Sequence, residues 1–346
     1  MLVETIATLG SHSALQILKG AKDEGFKTLV ISLKDRLKLY SRFKFIDDVV
    51  EVGSFDELLD NKVQGILKRH NCVFIPHGTL ISEQKLEDFE RKFEVPVFGN
   101  RWIFRWEADR DLKQKLMAEA GLKTPRLFKS PREIDRAVIA KLPGAAGGRG
   151  YFVALSYEDF QAKVRELLNK GVLKEEDVDS ISIQEYVVGV TIYPHFFYSP
   201  LTNEVELLGV DRRYESNVDA IARLPASEQL ELKLIPTYRV VGNIPIVLRE
   251  SLLIDVLEAA ERFVEASKKL VSPGIIGPFC LEGICDENGE VYFFEFSARI
   301  VAGTNLYING SPYSYLIYNE PMSMGRRIAR EIKLAMQANR LNDILT

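Results

Sequence analysis

Asn288-Gly289 lies between two strand-like runs in the stretch Gly277 to Arg299, and that dipeptide is a strong short-range signal for a two-residue hairpin turn. With those two residues in the turn, Glu287 pairs with Glu290, and counting outward sets Glu282 opposite Glu295. Side chains alternate along a strand, so Ser297 and Arg299 are expected on the face of Glu295, with Tyr292, Phe294 and Phe296 on the other. Two carboxylates facing each other across a hairpin repel. A divalent cation between them removes the repulsion, and oxygen ligands suit magnesium, which commonly also holds substrate phosphates. Taken alone, the segment is equally consistent with a solvated acidic face.

The rest of the 346-residue chain narrows the choice. A chain of this length is expected to divide into two or three domains. Its apolar content of 46% is that of a well-packed globular protein, and a net charge of −4 gives no electrostatic argument for nucleic acid or anionic membrane. The three cysteines, Cys72, Cys280 and Cys285, sit singly in apolar runs with no C-x-x-C. Zinc and redox motifs are therefore unsupported, and a reducing cytoplasm is the expected compartment. No basic region precedes the first strand-like run, so a signal peptide is not expected, and no apolar run reaches membrane-spanning length.

Residues 1 to about 100 alternate strand and helix, the pattern of a doubly wound parallel sheet whose ligands bind beyond the carboxyl ends of the strands. Two small polar turns fall at that edge: Gly10-Ser-His-Ser13 and His77-Gly-Thr79. The first offers free N–H groups, hydroxyls and a favourable dipole to a phosphate, though a serine simply capping the helix beside an exposed His12 fits the same residues. No Gly-x-Gly-x-x-Gly supports a dinucleotide site. A helix-favouring run from Arg101 to Ala120 reads as a connector ending at Gly121.

A short strand then ends in Lys141 and leads into Pro143-Gly-Ala-Ala-Gly-Gly-Arg-Gly-Tyr151, after which a strand resumes. A strand–glycine loop–strand hairpin lays backbone amides over nucleotide phosphates, with lysine and arginine supplying charge; a plain flexible loop is the alternative. It is not a Walker loop, which would continue Gly-Lys-Ser/Thr into a helix. Ile181 to Gly189 reads as a strand entering a hinge, a candidate adenine slot with Glu185 accepting from an exocyclic amine. Residues 220–248 read as loop-rich, and the charges of a basic C-terminal helix, about Ser323 to Arg340, as a solvated face.

In this order, Asp109-Arg110, Lys141, the loop 144–150, Gln184-Glu-Tyr-Val-Val-Gly189 and Glu295-Phe-Ser-Ala-Arg299 resemble the ATP-grasp superfamily. Thr-Leu-Gly-Ser-His-Ser-Ala-Leu-Gln at 8–16, Trp106-Glu-Ala-Asp-Arg-Asp111 and Tyr-Pro-His-Phe-Phe-Tyr-Ser-Pro at 193–200 extend the resemblance over essentially the whole chain. They are similar to the 5-formaminoimidazole-4-carboxamide ribonucleotide synthetase family of archaeal purine (IMP) biosynthesis. The resemblance implies an ATP- and formate-dependent ligase that formylates AICAR through formyl phosphate, with magnesium or manganese as metal and a homo-oligomeric assembly. It implies an N-terminal α/β domain (1–100), a connector (101–125), and an ATP-grasp fold of two α+β subdomains, 126–190 with the glycine-rich lid and 191–346 with the metal hairpin.

By the same resemblance, His12, Ser13, Thr79 and Asn243 would contact AICAR, and Glu282 and Glu295 would hold the metal. Arg110, Lys141, Gly147, Gly148, Arg149, Gly150, Glu185, Tyr186, Val187 and Glu215 would bind ATP, with Lys141 and Arg299 catalytic. Three departures from the superfamily pattern stand out. Gly189-Val190-Thr191 lacks the ribose-binding glutamate two residues after the hinge glycine, a carboxylate that Glu215 is expected to supply. Ser297 stands where asparagine often completes the metal site, and Arg110 and Arg149 replace lysines, keeping charge but changing geometry. The alternatives are a paralogous carboxylate–amine ligase with another substrate pair and a nucleotide-binding protein without chemistry.

Overall fold

A computed structural model describes residues 2–143, 150–232 and 237–346. Its strands form three sheets. The first is parallel, in the order β3-β2-β1-β4, from β1 (Thr5–Leu9), β2 (Lys27–Leu33), β3 (Asp48–Val52) and β4 (Cys72–Phe74). All five residues of β1 are buried, because a parallel sheet is covered on both faces. On one side Ala7, Leu9, Leu29 and Ile31 meet Phe55, Leu58, Leu67 and Phe89. On the other, Ile6 and Val73 meet Ile17 and Ala21 of the helix Ala14–Asp23 and Ile328 and Ile332 of the helix Met324–Gln337.

The second sheet is antiparallel, in the order β5-β8-β6-β7: β5 (Leu127–Phe128), β6 (Val138–Lys141), β7 (Tyr151–Ala154) and β8 (Ser182–Glu185). It has its own core, in which Phe128, Val138, Ala140 and Ile183 pack on Phe160 and Val164 of the helix Tyr157–Asn169. The third sheet, β11-β10-β9-β12-β13, is also antiparallel, from β9 (Gly189–Ser199), β10 (Glu204–Asn217), β11 (Tyr238–Pro245), β12 (Gly277–Asp286) and β13 (Val291–Ser297). The helix Glu250–Leu270 backs it, with Phe263 stacked on Phe279 and tilted against Phe296. The stretch 220–248, expected to be loop-rich, contains β11, whose pairing along Asp211 to Asn217 extends the sheet. No described helix is long and apolar enough to cross a membrane.

The hairpin closes differently from the expected two-residue turn. Asp286 and Glu290 form the closing pair, and Glu287, Asn288 and Gly289 make a three-residue loop with Gly289 at φ 84°. Asp286 Oδ1 accepts from the N–H groups of Asn288 and Glu290, both at 2.9 Å. The longer loop shifts the pairing by one residue, so Cys285 faces Val291 and Gly283 faces Phe293. A bulge between Glu282 and Gly283 then cancels the shift, and Glu282 does face Glu295. The bulge also splits the expected outer face. Phe296 joins Phe293 in the core, whereas Phe294 packs edge-on against Tyr193, ring centroids 6.5 Å apart.

The C-terminal helix departs from expectation too. It crosses the helix Ala14–Asp23 so closely that a Cβ on Gly20 or Gly325 would overlap the other helix's backbone. Its charges are not a solvated face. Arg327, 3% exposed, lies over the Phe197 ring and binds Glu206 at 2.9 Å and the fully buried Glu331 at 2.7 Å, while Arg326 and Arg330 bind Glu24 and Glu320. Removing one partner strands buried charge. Arg327→Met is therefore expected to destabilise the protein by about 3–5 kcal/mol in urea denaturation.

Candidate active site

Alternation along the third sheet gathers polar side chains on one face. Asn243 comes from β11, Asp211 and Arg213 from β10, Tyr193 and His195 from β9, Cys280 and Glu282 from β12, and Glu295 and Ser297 from β13. Glu282 is 3% exposed; Arg213 Nη2 lies 2.6 Å from its Oε2, and Ser297 Oγ donates to its Oε1 at 3.3 Å. The Arg213 guanidinium also lies 4.0 Å from the Tyr193 ring centroid. Burial raises the pKa of Glu282 against the pull of Arg213, and the Glu295 charge raises it further.

Glu295 behaves oppositely. Burial works against its charge, yet Lys113, then Arg213 and Lys141, hold its carboxyl below the ordinary range. Lys113, on the helix Arg110–Glu119, forms an ion pair with it directly. Two facing carboxylates whose environments push their pKa values apart are a familiar mark of a functional site. Lys141, at the end of β6, has its own pKa lowered by burial and by the neighbouring Arg110 and Lys113, with Glu295 opposing. Three cations from three parts of the chain, Arg213, Lys113 and Lys141, thus surround one acidic pair. Such a cleft can bind polyanionic phosphate and balance its charge.

The chain leaving β13 carries the site onto the first sheet. Arg299 Nη2 is 2.8 Å from Glu107 Oε1, whose other oxygen accepts the Ala298 N–H at 2.7 Å, and Ile300 bridges to His77. The guanidinium lies over Gly78, where a Cβ would be in ordinary contact with it at 3.4 Å. His77 is buried; its Nε2 donates to the Leu9 carbonyl at 2.9 Å and its Nδ1 accepts the Thr79 N–H at 3.3 Å. Burial pushes its pKa down to about 3, outweighing the Leu9 bond. The exposed His12, at φ 35°, has its ring 6.0 Å from that of His77. Partial desolvation by the surrounding protein, then the charges of Arg299 and Arg36, lowers the His12 pKa.

Three buried polar atoms here lack a partner among the described residues: Ser13 Oγ, Thr79 Oγ1 and Arg299 Nε. Ser13 stands at the helix N-cap without making a capping bond, so ordinary capping does not account for it. Buried donors left unpaired are costly and call for a ligand. Two hydroxyls and a guanidinium can together bind an anion.

The other expected residues fall as follows. Asn243 donates to Asp211 Oδ2 at 2.6 Å. The exposed Arg110 is near enough to influence Lys141, and Gly150, at φ 80°, begins the return into β7. Gly147, Gly148 and Arg149 lie outside the described residues. Glu185 ends β8. Its carboxylate accepts from Arg136 Nη1 at 3.0 Å and from the Arg126 N–H at 3.1 Å, while its own N–H and that of Tyr186 donate to the Arg126 and Ala137 carbonyls. Tyr186 and Val188 beside it are exposed and Val187 half-buried. Glu215, on β10, has its pKa raised by burial, with Arg213 opposing and Asp219 adding to the rise. Sequence reasoning missed Lys113, Glu107, Arg213, Tyr193 and the buried pair His195–Asp211. Period-two charge along Asp211, Arg213 and Glu215, and Lys113 one helical turn beyond Arg110, were the available signals.

Two family models match the chain: a domain of unknown function, DUF1297, over residues 159–346, and a protein of unknown function, DUF1246, over residues 6–128. The 5-formaminoimidazole-4-carboxamide-1-(beta)-D-ribofuranosyl 5'-monophosphate synthetase of Nitrosopumilus maritimus is 52% identical over 342 residues, 99% of each chain. The protein of the same name from Methanocaldococcus jannaschii is 51% identical, over 99% of this chain and 95% of its own. The chain belongs to this synthetase family. A solved structure of an IMP biosynthesis protein PurP from Thermococcus kodakaraensis overlays with a TM-score of 0.77 at 32% identity, covering 99% of this chain and 100% of that one. The ADP complex of purK, N5-carboxyaminoimidazole ribonucleotide synthetase, overlays with a TM-score of 0.64 over 96% of this chain and 78% of its own. At 15% identity that likeness concerns the fold alone, the ATP-grasp fold that the synthetase family shares.

The buried His77 generates a pH prediction. Its folded pKa, about 3, lies below the ordinary 6.5, so the unfolded chain binds its proton first, and stability present above pH 6.5 is lost as pH falls toward 3. Between pH 7 and pH 5 the wild type is expected to lose about 2 kcal/mol more stability than His77→Asn, measured by urea titration at each pH.

Proposed function

We propose that the protein is an ATP- and formate-dependent ligase that formylates AICAR, making the 5-formaminoimidazole-4-carboxamide ribonucleotide for which its relatives are named. The observation that carries this reading is the acidic pair Glu282–Glu295, ringed by Arg213, Lys113 and Lys141, with the chain after it running toward unpartnered polar atoms of Ser13, Thr79 and Arg299 beside His12. One region suits phosphoryl transfer and the other a phosphorylated amine. A formate oxygen attacks the γ-phosphorus, ADP leaves, and the amine then attacks the formyl carbon to release phosphate and a proton. Lys141, Arg110 and the glycine-rich loop neutralise the triphosphate, and Arg299 faces the acyl phosphate where the two regions meet.

A divalent cation, magnesium or manganese, fits the donor set. Two facing oxygen ligands, one of them already bonded to Ser297 Oγ, offer hard ligation. Among the described residues no group of three or more His, Cys, Asp or Glu side chains could complete a cage, as suits an ion that takes its other ligands from phosphate and water. Such an ion would offset charge on the transferred phosphoryl group. The division at residues 1–100, 101–125, 126–190 and 191–346 is proposed to separate amine recognition from a nucleotide cleft between the second and third sheets.

Incubation with ATP, magnesium, formate and AICAR should yield the formamide, ADP and phosphate by chromatography, whereas ATP turnover indifferent to AICAR would sink this reading. Glu295→Gln should lower kcat roughly a hundredfold or more with the fold intact by circular dichroism. His12→Ala should raise KM for AICAR about tenfold while leaving KM for ATP nearly unchanged.

A further inference from the structure

Beneath Asn243 lies a buried pair with no assigned role. Asp211 and His195 are each 1% exposed. Asp211 Oδ1 is 2.7 Å from His195 Nε2, and Asp211 Oδ2 is 2.6 Å from Asn243 Nδ2. A carboxylate only accepts, so both neighbours must donate. His195 then carries a proton on Nε2, and Asn243 turns its NH2 toward Asp211.

That orientation leaves the half-buried Asn243 one free end, the carbonyl oxygen Oδ1, on the sheet face shared with Arg213 and Glu282. An unanchored amide would offer a donor or an acceptor with equal ease. The anchor is itself enclosed. A Cβ on Gly303 would overlap Asp211 Oδ1 and lie 2.9 Å from His195 Nε2, so the Gly303 backbone closes directly over the pair. Two residues on, Asn305 Nδ2 donates to the His12 carbonyl at 3.0 Å, and the Thr304 carbonyl accepts from Gln16. The segment 303–305 therefore ties the Asn243 anchor to the His12 turn.

We infer that Asp211, backed by His195, is a positioning residue that locks Asn243 with its carbonyl oxygen toward the substrate, so that this subsite takes an N–H or O–H donor of the amine substrate. The inference rests on the assignment of Asn243 to the AICAR pocket. His195 holds Asp211 from behind, and its Nδ1 is buried with no partner among the described residues.

A polarity swap tests it. AICAR and ATP affinities are measured by calorimetry for the wild type, Asp211→Asn, Asn243→Asp, Asn243→Ala and the double variant D211N/N243D. Asp211→Asn frees the amide to flip, and Asn243→Asp sets two carboxylates together; each is expected to weaken AICAR about tenfold and ATP less than about twofold. In the double variant the new amide donates to the new carboxylate, whose free oxygen again accepts, and AICAR affinity should return to within about threefold of wild type. The swap also retains one buried carboxylate, so it remains informative if Asp211→Asn fails to fold. A double variant no better than the singles, or equal losses for AICAR and ATP, would overturn the positioning role. AICAR affinity unchanged by Asn243→Ala would overturn it by removing Asn243 from the pocket. Formamide synthesis by the wild type, followed separately, judges the ligase reading independently of all these outcomes.

Discussion

Two carboxylates facing each other across one hairpin are the constraint to which much of the molecule answers. Left alone, Glu282 and Glu295 would oppose the pairing that creates them. The fold supplies the compensation from separate places: Arg213 from the neighbouring β10, Lys113 from the helix that precedes the second sheet, and Lys141 from the end of β6. Each cation is partly desolvated, so its attraction is stronger than on an open surface. The same charges that steady the ligand-free cleft are the ones a polyphosphate would use. The cleft is thus held together by interactions that binding can exchange without leaving any charge bare.

The acidic pair was legible in the sequence for a reason that conceals an error. Counting outward from Asn288-Gly289 assumed a two-residue turn and an unbroken ladder, and neither exists. The three-residue loop moves the register one way and the bulge at Glu282/Gly283 moves it back. The two shifts are equal and opposite, so the sum was readable when its parts were not. The faces of the intervening residues were not readable, and Phe294 and Phe296 parted accordingly. Lys113 escaped notice because helix packing, not local pattern, aims it at Glu295. The Arg327 network escaped because a basic helix surface looks alike in sequence whether it meets water or Glu206, Glu24 and Glu320. Gly20 and Gly325 carried no signal of their own, since each matters only through the close crossing of the other's helix.

The short run from Ala298 to Asn305 connects what the sheets separate. Ala298 and Arg299 hold Glu107, Ile300 pairs with His77, Gly303 closes over Asp211 and His195, and Asn305 holds the His12 turn. Because this run continues directly from Glu295 and Ser297, a displacement at the acidic pair is transmitted through covalent backbone to the donors of the second pocket. Neighbouring residues of one tight run are difficult to move independently. Under the proposed reaction, that is a physical reason for the two regions to keep a fixed spacing, as a reactive acyl phosphate passed between them would require.

The unpartnered atoms indicate where stability was given up for that arrangement. Ser13 could have capped its helix, as serines at that position usually do, yet its hydroxyl is buried and unbonded. Thr79 follows the same course beside His77, and Arg299 spends two nitrogens' worth of its fork on Glu107 and the Ile300 carbonyl while Nε remains bare. A protein under selection for stability alone would satisfy such groups or replace them with apolar ones. Three of them lie beside one pair of histidines, His12 and His77, already withdrawn from water. On the proposed reading, an anion bound there would repair a deficit instead of breaking existing bonds, leaving its binding energy available for orientation.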